Sequence, residues 1–381
     1  MGGQVLLYKA LGIFLKAVEN EISIDKDLLK RLNSETLNFT LVRPIKSLPY
    51  IEKYSISDVL YRIISMCFFV FSPLFFLIQA VKCYFANRGG GFSNDLLNDV
   101  VLVANSRVEH LIIRIRERGK IDYLNINQPH KNNQPSVYKL LTWFDYGKAY
   151  IYSVSAIFYL LWCLKDKRDI LQGYVAYEWF LVYIGLSKIK RNSRTVYFAN
   201  HYDRWAVMFD QLFAAENLIL LQHGLLPEYL QLSYKLKNIN YIYALTSDSQ
   251  EVFKRLFDCK DVCFYQLDLS ISLVDIQSNK RSVLIIGQPH SITLEIKFIK
   301  KLTDDFDVFV KPHPLYDATE YKKLDGITLI ENRGLYPKVD IALCYESTLG
   351  IEYEASGVEV VWWKGMDAGR VSSVIKNKLS K

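Results

Sequence analysis

Residues 283–302 read VLIIGQPHSITLEIKFIKKL, 308–324 VFVKPHPLYDATEYKKL, 327–337 ITLIENRGLYP and 341–363 IALCYESTLGIEYEASGVEVVWW. Each stretch opens on a short apolar, β-branched run, breaks at a polar or histidine-bearing turn, and continues toward apolar residues at helical spacing. Strands alternating with helices predict a parallel sheet covered on both faces. The same pattern extends toward the N-terminus: TVYFAN (195–200) before HYDRWAVMFDQLFAAE (201–216), LILLQ (218–222) before HGLLPEYL (223–230), and YIYALT (241–246) before SDSQEVFKRLF (247–257). Farther upstream, LLNDVVLVANSRVEHLIIRIRERGKIDYLNI (96–126) reads as strand, helix and strand. A polar break at Gln277–Arg281 separates the two series. The predicted fold class is α/β with two Rossmann-like domains, residues 1–276 and 282–381, the first carrying an N-terminal apolar helical insertion over 59–85.

A chain of 381 residues has room for two such domains. With 50% apolar, 14% aromatic and 23% charged residues, it is too rich in core-forming side chains for intrinsic disorder. The balance of 47 basic against 40 acidic residues, +7, is too small and too dispersed for a nucleic-acid arm, so no nucleic-acid partner is expected. It leaves a mild bias toward anionic ligands or membrane surfaces. Cys67, Cys83, Cys163, Cys259, Cys263 and Cys344 form no CxxC pair and no metal-type cluster with histidine, which points to a reducing compartment. The first residues show no signal-peptide pattern, and a cytoplasmic location is expected.

Between Ile63 and Val81 runs IISMCFFVFSPLFFLIQAV, free of charge and flanked by Arg62, Lys82 and Arg88. Its length suits a bilayer span. Ser72-Pro73 at its centre and basic residues on both flanks favour instead a hairpin or an interfacial helix dipping into one leaflet. A buried helix pair remains the alternative. Residues 147–189 are aromatic-rich and helical in period, broken at 165–168, and read as core-packed helices. The basic stretch Arg107–Lys120, with Lys188, Lys190, Arg191 and Arg194, fits a solvated face or an anionic surface.

Four of the six histidines, His201, His223, His290 and His313, fall directly after predicted strands. In doubly wound sheets these carboxyl ends form the ligand crevice. Lys311-Pro312-His313-Pro314 is a rigid turn that presents an imidazole and an ammonium. Glu346-Ser347-Thr348 opens a helix, where hydroxyls and free N–H groups make either a phosphate site or a simple N-cap. Gly287-Gln288-Pro289-His290 reads as a second donor-side loop; it is not a GxGxxG fingerprint, so no nicotinamide cofactor is expected. In the first domain, Asp203 is the leading candidate for a general base, with His223 and His201 beside it and Asp210 and Glu228 as outside candidates. Asn200, Arg204, Gln222 and Gly224 complete the acceptor-side group; Arg204 pairing with Asp203 is the structural alternative. Asp305-Phe306-Asp307 spells a metal-binding DxD but precedes its strand, and reads as a solvated acidic turn.

KPHPLYD, then ESTLGIEYEASGVEVV, with LILLQHG before them, resembles the GT-B glycosyltransferases of capsule and cell-wall polymers over residues 195–365. The likeness is greatest to enzymes using CMP-activated acidic sugars, the polysialyltransferases and Kdo transferases, and more distant to the teichoic-acid glycerophosphotransferases. It implies nucleotide binding by His313 with Pro314 and by Ser347 and Thr348. Where the sialyltransferases carry an acidic motif ending in glycine, this chain has Gln222-His223-Gly224. The expectation is a metal-independent transfer of a Kdo- or sialic-type sugar from a CMP-linked co-substrate, without a cofactor, to a glycan or lipid-linked glycan in capsule or lipopolysaccharide biosynthesis. Peripheral contact with the cytoplasmic leaflet accompanies it. The alternatives are a CDP-polyol phosphotransferase, a nucleotide-sugar epimerase, and a non-catalytic membrane-attached glycan- or nucleotide-binding protein.

Overall fold

The computed structural model describes residues 2–35, 58–86, 99–103, 107–115, 121–126, 136–189, 195–226, 230–288, 291–313, 318–332 and 334–379. The chain has two compact units, with the main division between Leu267 and Asp268. That division lies ahead of the polar break at 277–281 because Ile271, Leu273 and Ile276 already pack on a core of the second unit. Val274 also exchanges 2.8 Å backbone hydrogen bonds with Tyr336 and Lys338.

In the first unit, β1 (Asp99–Val103), β2 (Asp122–Asn125), β3 (Thr195–Phe198), β4 (Asn217–Leu221), β5 (Ile239–Ala244) and β6 (Cys263–Gln266) form a parallel sheet in the order β2-β1-β3-β4-β5-β6. Val101 lies opposite Tyr197, and Phe198 opposite Leu220. The chain moves outward from β1 to β2 and returns to lay β3 on the other side of β1. In doubly wound sheets such a reversal, here between β1 and β3, is where the ligand crevice lies at the strand ends. The helices are α1 (Gly2–Glu35), α2 (Asp58–Ala86), α3 (Arg107–Ile115), α4 (Trp143–Cys163), α5 (Ala176–Ser187), α6 (Arg204–Leu212) and α7 (Ser247–Leu256). Helix α5 is buried from Ala176 to Leu186 save Glu178, as an all-round apolar helix must be. Phe14 of α1 meets Trp179 at 5.1 Å in the same core.

The apolar insertion departs from the expected hairpin. Helix α2 runs unbroken through Pro73, and the Ser72 hydroxyl donates to the Phe69 carbonyl at 2.9 Å in the turn that precedes the proline. It is not a buried core helix either, since much of its apolar face is exposed. Arg62–Ala86 is long and apolar enough to cross a membrane by length and composition. HGLLPEYL was expected to form a helix, but the described residues of 222–238 carry none. The backbone there is held by side chains: the buried Asp210 carboxylate accepts the N–H groups of Lys237 and Asn238, each at 2.7 Å, and the Tyr234 hydroxyl at 2.8 Å.

In the second unit, β7 (Ser282–Ile286), β8 (Asp307–Lys311), β9 (Ile327–Leu329), β10 (Ile341–Cys344) and β11 (Glu359–Trp362) form a parallel sheet ordered β11-β10-β7-β8-β9. Helices α8 (Ile292–Leu302), α9 (Thr319–Lys322), α10 (Thr348–Ala355) and α11 (Ala368–Leu379) accompany it. Central β7 is buried at every position, which is why its sequence is a continuous apolar run. Its alternate side chains feed two cores: Val283 and Ile285 on one face, Leu284 and Ile286 on the other. The order reverses between β7 and β10, giving this sheet a crevice of its own. NRGLYP, read as helical, contributes no helix among its described residues.

Candidate functional site

The loops after β7 and β10 meet at the reversal point of the second sheet. The Gln288 side-chain amide donates to the Glu346 carbonyl at 3.3 Å, joining the Gly287-Gln288 loop to the start of α10. Space around Gly287 is tight. A Cβ would stand 2.7 Å from the Tyr321 hydroxyl and 3.3 Å from both the Lys311 carbonyl and the Pro312 Cα. Ser347 is the N-cap of α10 and accepts from the Leu349 N–H at 3.3 Å; Thr348 is the first helical residue. Gly350 lets α10 lie against the sheet, since its Cβ would be 2.6 Å from the Trp362 ring and 2.7 Å from the Cys344 sulfur. The Glu346 carboxylate pairs with Lys364 at 3.2 Å.

Beneath the β7 loop lies a residue the sequence reading did not single out. Glu295 of α8 is fully buried and receives three donors: the Gln288 N–H at 3.0 Å, the Ser291 hydroxyl at 2.6 Å, and the Tyr321 hydroxyl. Burial raises its carboxyl to about 7 against the lowering effect of those hydrogen bonds. The signal was present, because Glu295 occupies the apolar stripe of α8 with Phe298, Ile299 and Leu302.

His313 stands half-buried at the end of β8. Lys311 is buried and turns its ammonium to the carbonyls of Asn332 (2.9 Å) and Leu335 (2.8 Å), with the Tyr336 ring 4.9 Å away. Desolvation lowers its pKa. This geometry anchors Asn332 and Leu335 rather than offering those donors to a phosphate. His290 and Pro314 lie outside the described residues, as do Glu228, Lys190, Arg191 and Arg194. Asp307 opens β8 at its amino end. Its carboxylate accepts the N–H groups of Asn279 (2.7 Å) and Lys280 (3.0 Å), which hold it below the usual carboxylate range.

In the first unit, the loops after β3 and β4 bring Asn200, His201, Asp203 and His223 together. The imidazoles of His201 and His223 have centres 4.3 Å apart. His201 is buried, and its Nε2 accepts the His223 backbone N–H at 3.1 Å. The Nε2 lone pair of His201 is thereby engaged within the protein. Asp203 caps α6: Oδ1 accepts the N–H groups of Trp205 (3.0 Å) and Ala206 (3.1 Å), while Oδ2 accepts the Asn200 amide at 2.8 Å. The other end of that amide, Asn200 Oδ1, is buried without a hydrogen-bond partner among the described residues.

Two acceptor-side expectations change. Arg204 pairs with the buried Glu21 of α1 at 2.8 Å, not with Asp203. Gln222 is buried and internally committed: its amide donates to the Gly224 carbonyl and the Ser249 hydroxyl, each at 3.0 Å, and its oxygen accepts the Leu245 N–H at 2.8 Å. Among the described residues nothing lies within 4 Å of a Cβ built on Gly224. Among the described residues no group of three or more His, Cys, Asp or Glu side chains is placed to hold a metal ion. A cavity of about 350 Å³ lies between α2 and α5, lined by Phe75, Ile78, Lys82, Tyr177 and Glu178 among others, and none of the strand-end loops contributes to it.

Compared with known proteins, the chain matches no family model and no curated protein.

Proposed function

We propose that the protein is a GT-B glycosyltransferase that moves a Kdo- or sialic-type sugar from a CMP-activated donor to a hydroxyl of a surface glycan. The observation that carries this reading is the Gln288–Glu346 contact of 3.3 Å, which ties two loops together at the reversal point of the second sheet. These loops include the ESTLG motif on which the resemblance rests. The start of α10 offers backbone N–H groups and the positive end of a helix dipole to a nucleotide phosphate. His313 stands at the adjoining strand end. Glu295 and Lys311 act as positioning residues that hold the loops around it. The choice of CMP and of an acidic sugar follows the resemblance of the KPHP and ESTLG motifs.

Acceptor activation falls to the first unit. His223 serves as the general base, since Asp203 spends three acceptor sites on Trp205, Ala206 and Asn200, and the Nε2 lone pair of His201 is taken by the His223 backbone N–H. A hydroxyl of the acceptor would satisfy the buried Asn200 Oδ1, an atom that otherwise forfeits a hydrogen bond. In the reaction the acceptor oxygen bonds to the anomeric carbon and its proton passes to the general base. The bond from that carbon to the phosphate breaks, and the electron pair leaves on CMP.

The test is a thermal-shift screen of the full chain against CMP, CDP, UDP, GDP and ADP, each with EDTA and with magnesium. A ligand at 100 times its dissociation constant stabilises by about 2.7 kcal/mol, a shift of several degrees. Stabilisation by CMP that is indifferent to EDTA is expected. Stabilisation by UDP or GDP alone refutes the donor, and silence toward every nucleotide refutes the donor site.

A further inference from the structure

The first unit exposes an apolar surface built by two helices. Along α2, Val59, Ile63, Val70, Phe71, Leu74 and Leu77 are 49–68% exposed. Along α4, Phe144, Ile151, Phe158 and Trp162 are 56–88% exposed, and their spacing places them on one helical face. The two rows adjoin, since the Phe69 and Phe158 rings meet edge-on at 5.2 Å. Isolated exposed apolar residues are ordinary, but contiguous patches of this extent mark interaction sites.

Three features select the occupant. On the opposite side of α2, Ser65, Ser72, Phe76 and Cys83 are buried, and α2 packs along α4 and the turn segment Lys167–Val175. A helix with protein along one side cannot be ringed by lipid, yet its other side is an apolar strip roughly 40 Å long at 1.5 Å per residue. Second, α2 carries no carboxylate after Asp58, while Arg62 and Lys82 are exposed on it, which complements anionic headgroups. Third, Trp143 and Trp162 stand near the two ends of α4, 65% and 88% exposed, where indole suits the boundary between headgroup and acyl chain.

We propose that this α2–α4 face lies in the interface of an anionic phospholipid bilayer, with α2 parallel to the membrane plane. The proposal rests on these two helices and not on glycosyl transfer.

The test is co-sedimentation of the purified full chain with vesicles of phosphatidylcholine alone and of phosphatidylcholine with phosphatidylglycerol. Binding is expected to both, stronger to the anionic vesicles, with the difference removed by high salt. Phe71→Asp with Leu74→Asp should weaken partition by about tenfold or more while the circular dichroism melt is unchanged. Trp162→Ser, on the other helix, is an independent variant and should weaken it as well. Alkaline carbonate should release the bound protein. The proposal is overturned if the wild-type chain ignores both vesicles, if neither variant weakens binding, or if release requires detergent, which would mean a spanning helix. It is equally overturned if the protein is a stable dimer that Phe71→Asp with Leu74→Asp converts to monomers, because a second copy then covers the face.

Discussion

Glu295→Gln separates the titration of one buried carboxyl from its packing. Glu295 is fully buried, and burial lifts its pKa from 4.5 to about 7. Between those values the folded chain holds a proton that the unfolded chain has released, so stability falls as pH rises through the window. Below it both states are protonated and Glu295 contributes no pH dependence. Above it the folded state carries a buried carboxylate at a cost of about 3 kcal/mol, at roughly 1.4 kcal/mol per pH unit of the rise. Glutamine cannot titrate, and its carbonyl can still accept from Ser291 and from the Gln288 N–H. Urea unfolding of the full chain and of Glu295→Gln, compared from about pH 4 to about pH 8, should show the variant gaining on the wild type by about 3 kcal/mol. Hydrogen exchange of 287–302 should locate the gain in the β7 loop and α8. Parallel stability curves across this range would refute the reasoning, because Glu295 would then titrate alike in both states.

Arg204→Met removes one partner of the buried Arg204–Glu21 ion pair and should destabilise the first unit by about 3–5 kcal/mol in a denaturant melt; adding Glu21→Leu should recover part of that loss. Gly350→Ala forces a methyl to within 2.6 Å of the Trp362 ring and should lower stability by about 1–3 kcal/mol, read by differential scanning calorimetry. Asp203→Asn retains the cap of α6 and should melt near the wild type, whereas Asp203→Ala should lose about 1–2 kcal/mol. Turnover that survives Asp203→Asn but not His223→Gln would fit the assignment of His223 as base, and the reverse pattern would sink it.

The strand-ending turns were legible because parallel strands buried on both faces leave nearly continuous apolar runs, and SVLII and IALC read that way. Strand β6 was not, since CFYQ is an edge strand, mostly exposed, with no clean alternation. HGLLPEYL has helical spacing, yet the chain that follows it is held by the Asp210 side chain, 27 residues before Lys237 and 28 before Asn238. Pro73 predicted a break, but a proline in a long apolar helix leaves the turns on either side intact, and α2 continues through it.

The sequence by itself determined the α/β class, the two series of strands and the positions where His201, His223, His313 and Ser347 leave them, because burial periodicity and turn chemistry are local properties. Only the tertiary structure decided what those side chains do. Whether Asp203 is a base or a cap, whether Lys311 meets a ligand or two carbonyls, and whether Glu295 is a surface acid or a buried clamp all depend on which donors and acceptors folding brings within 3 Å. Strand order did the same at a larger scale, since the reversal between β7 and β10 sets Gln288 beside Glu346 from distant parts of the chain, a neighbour relation that no local pattern encodes.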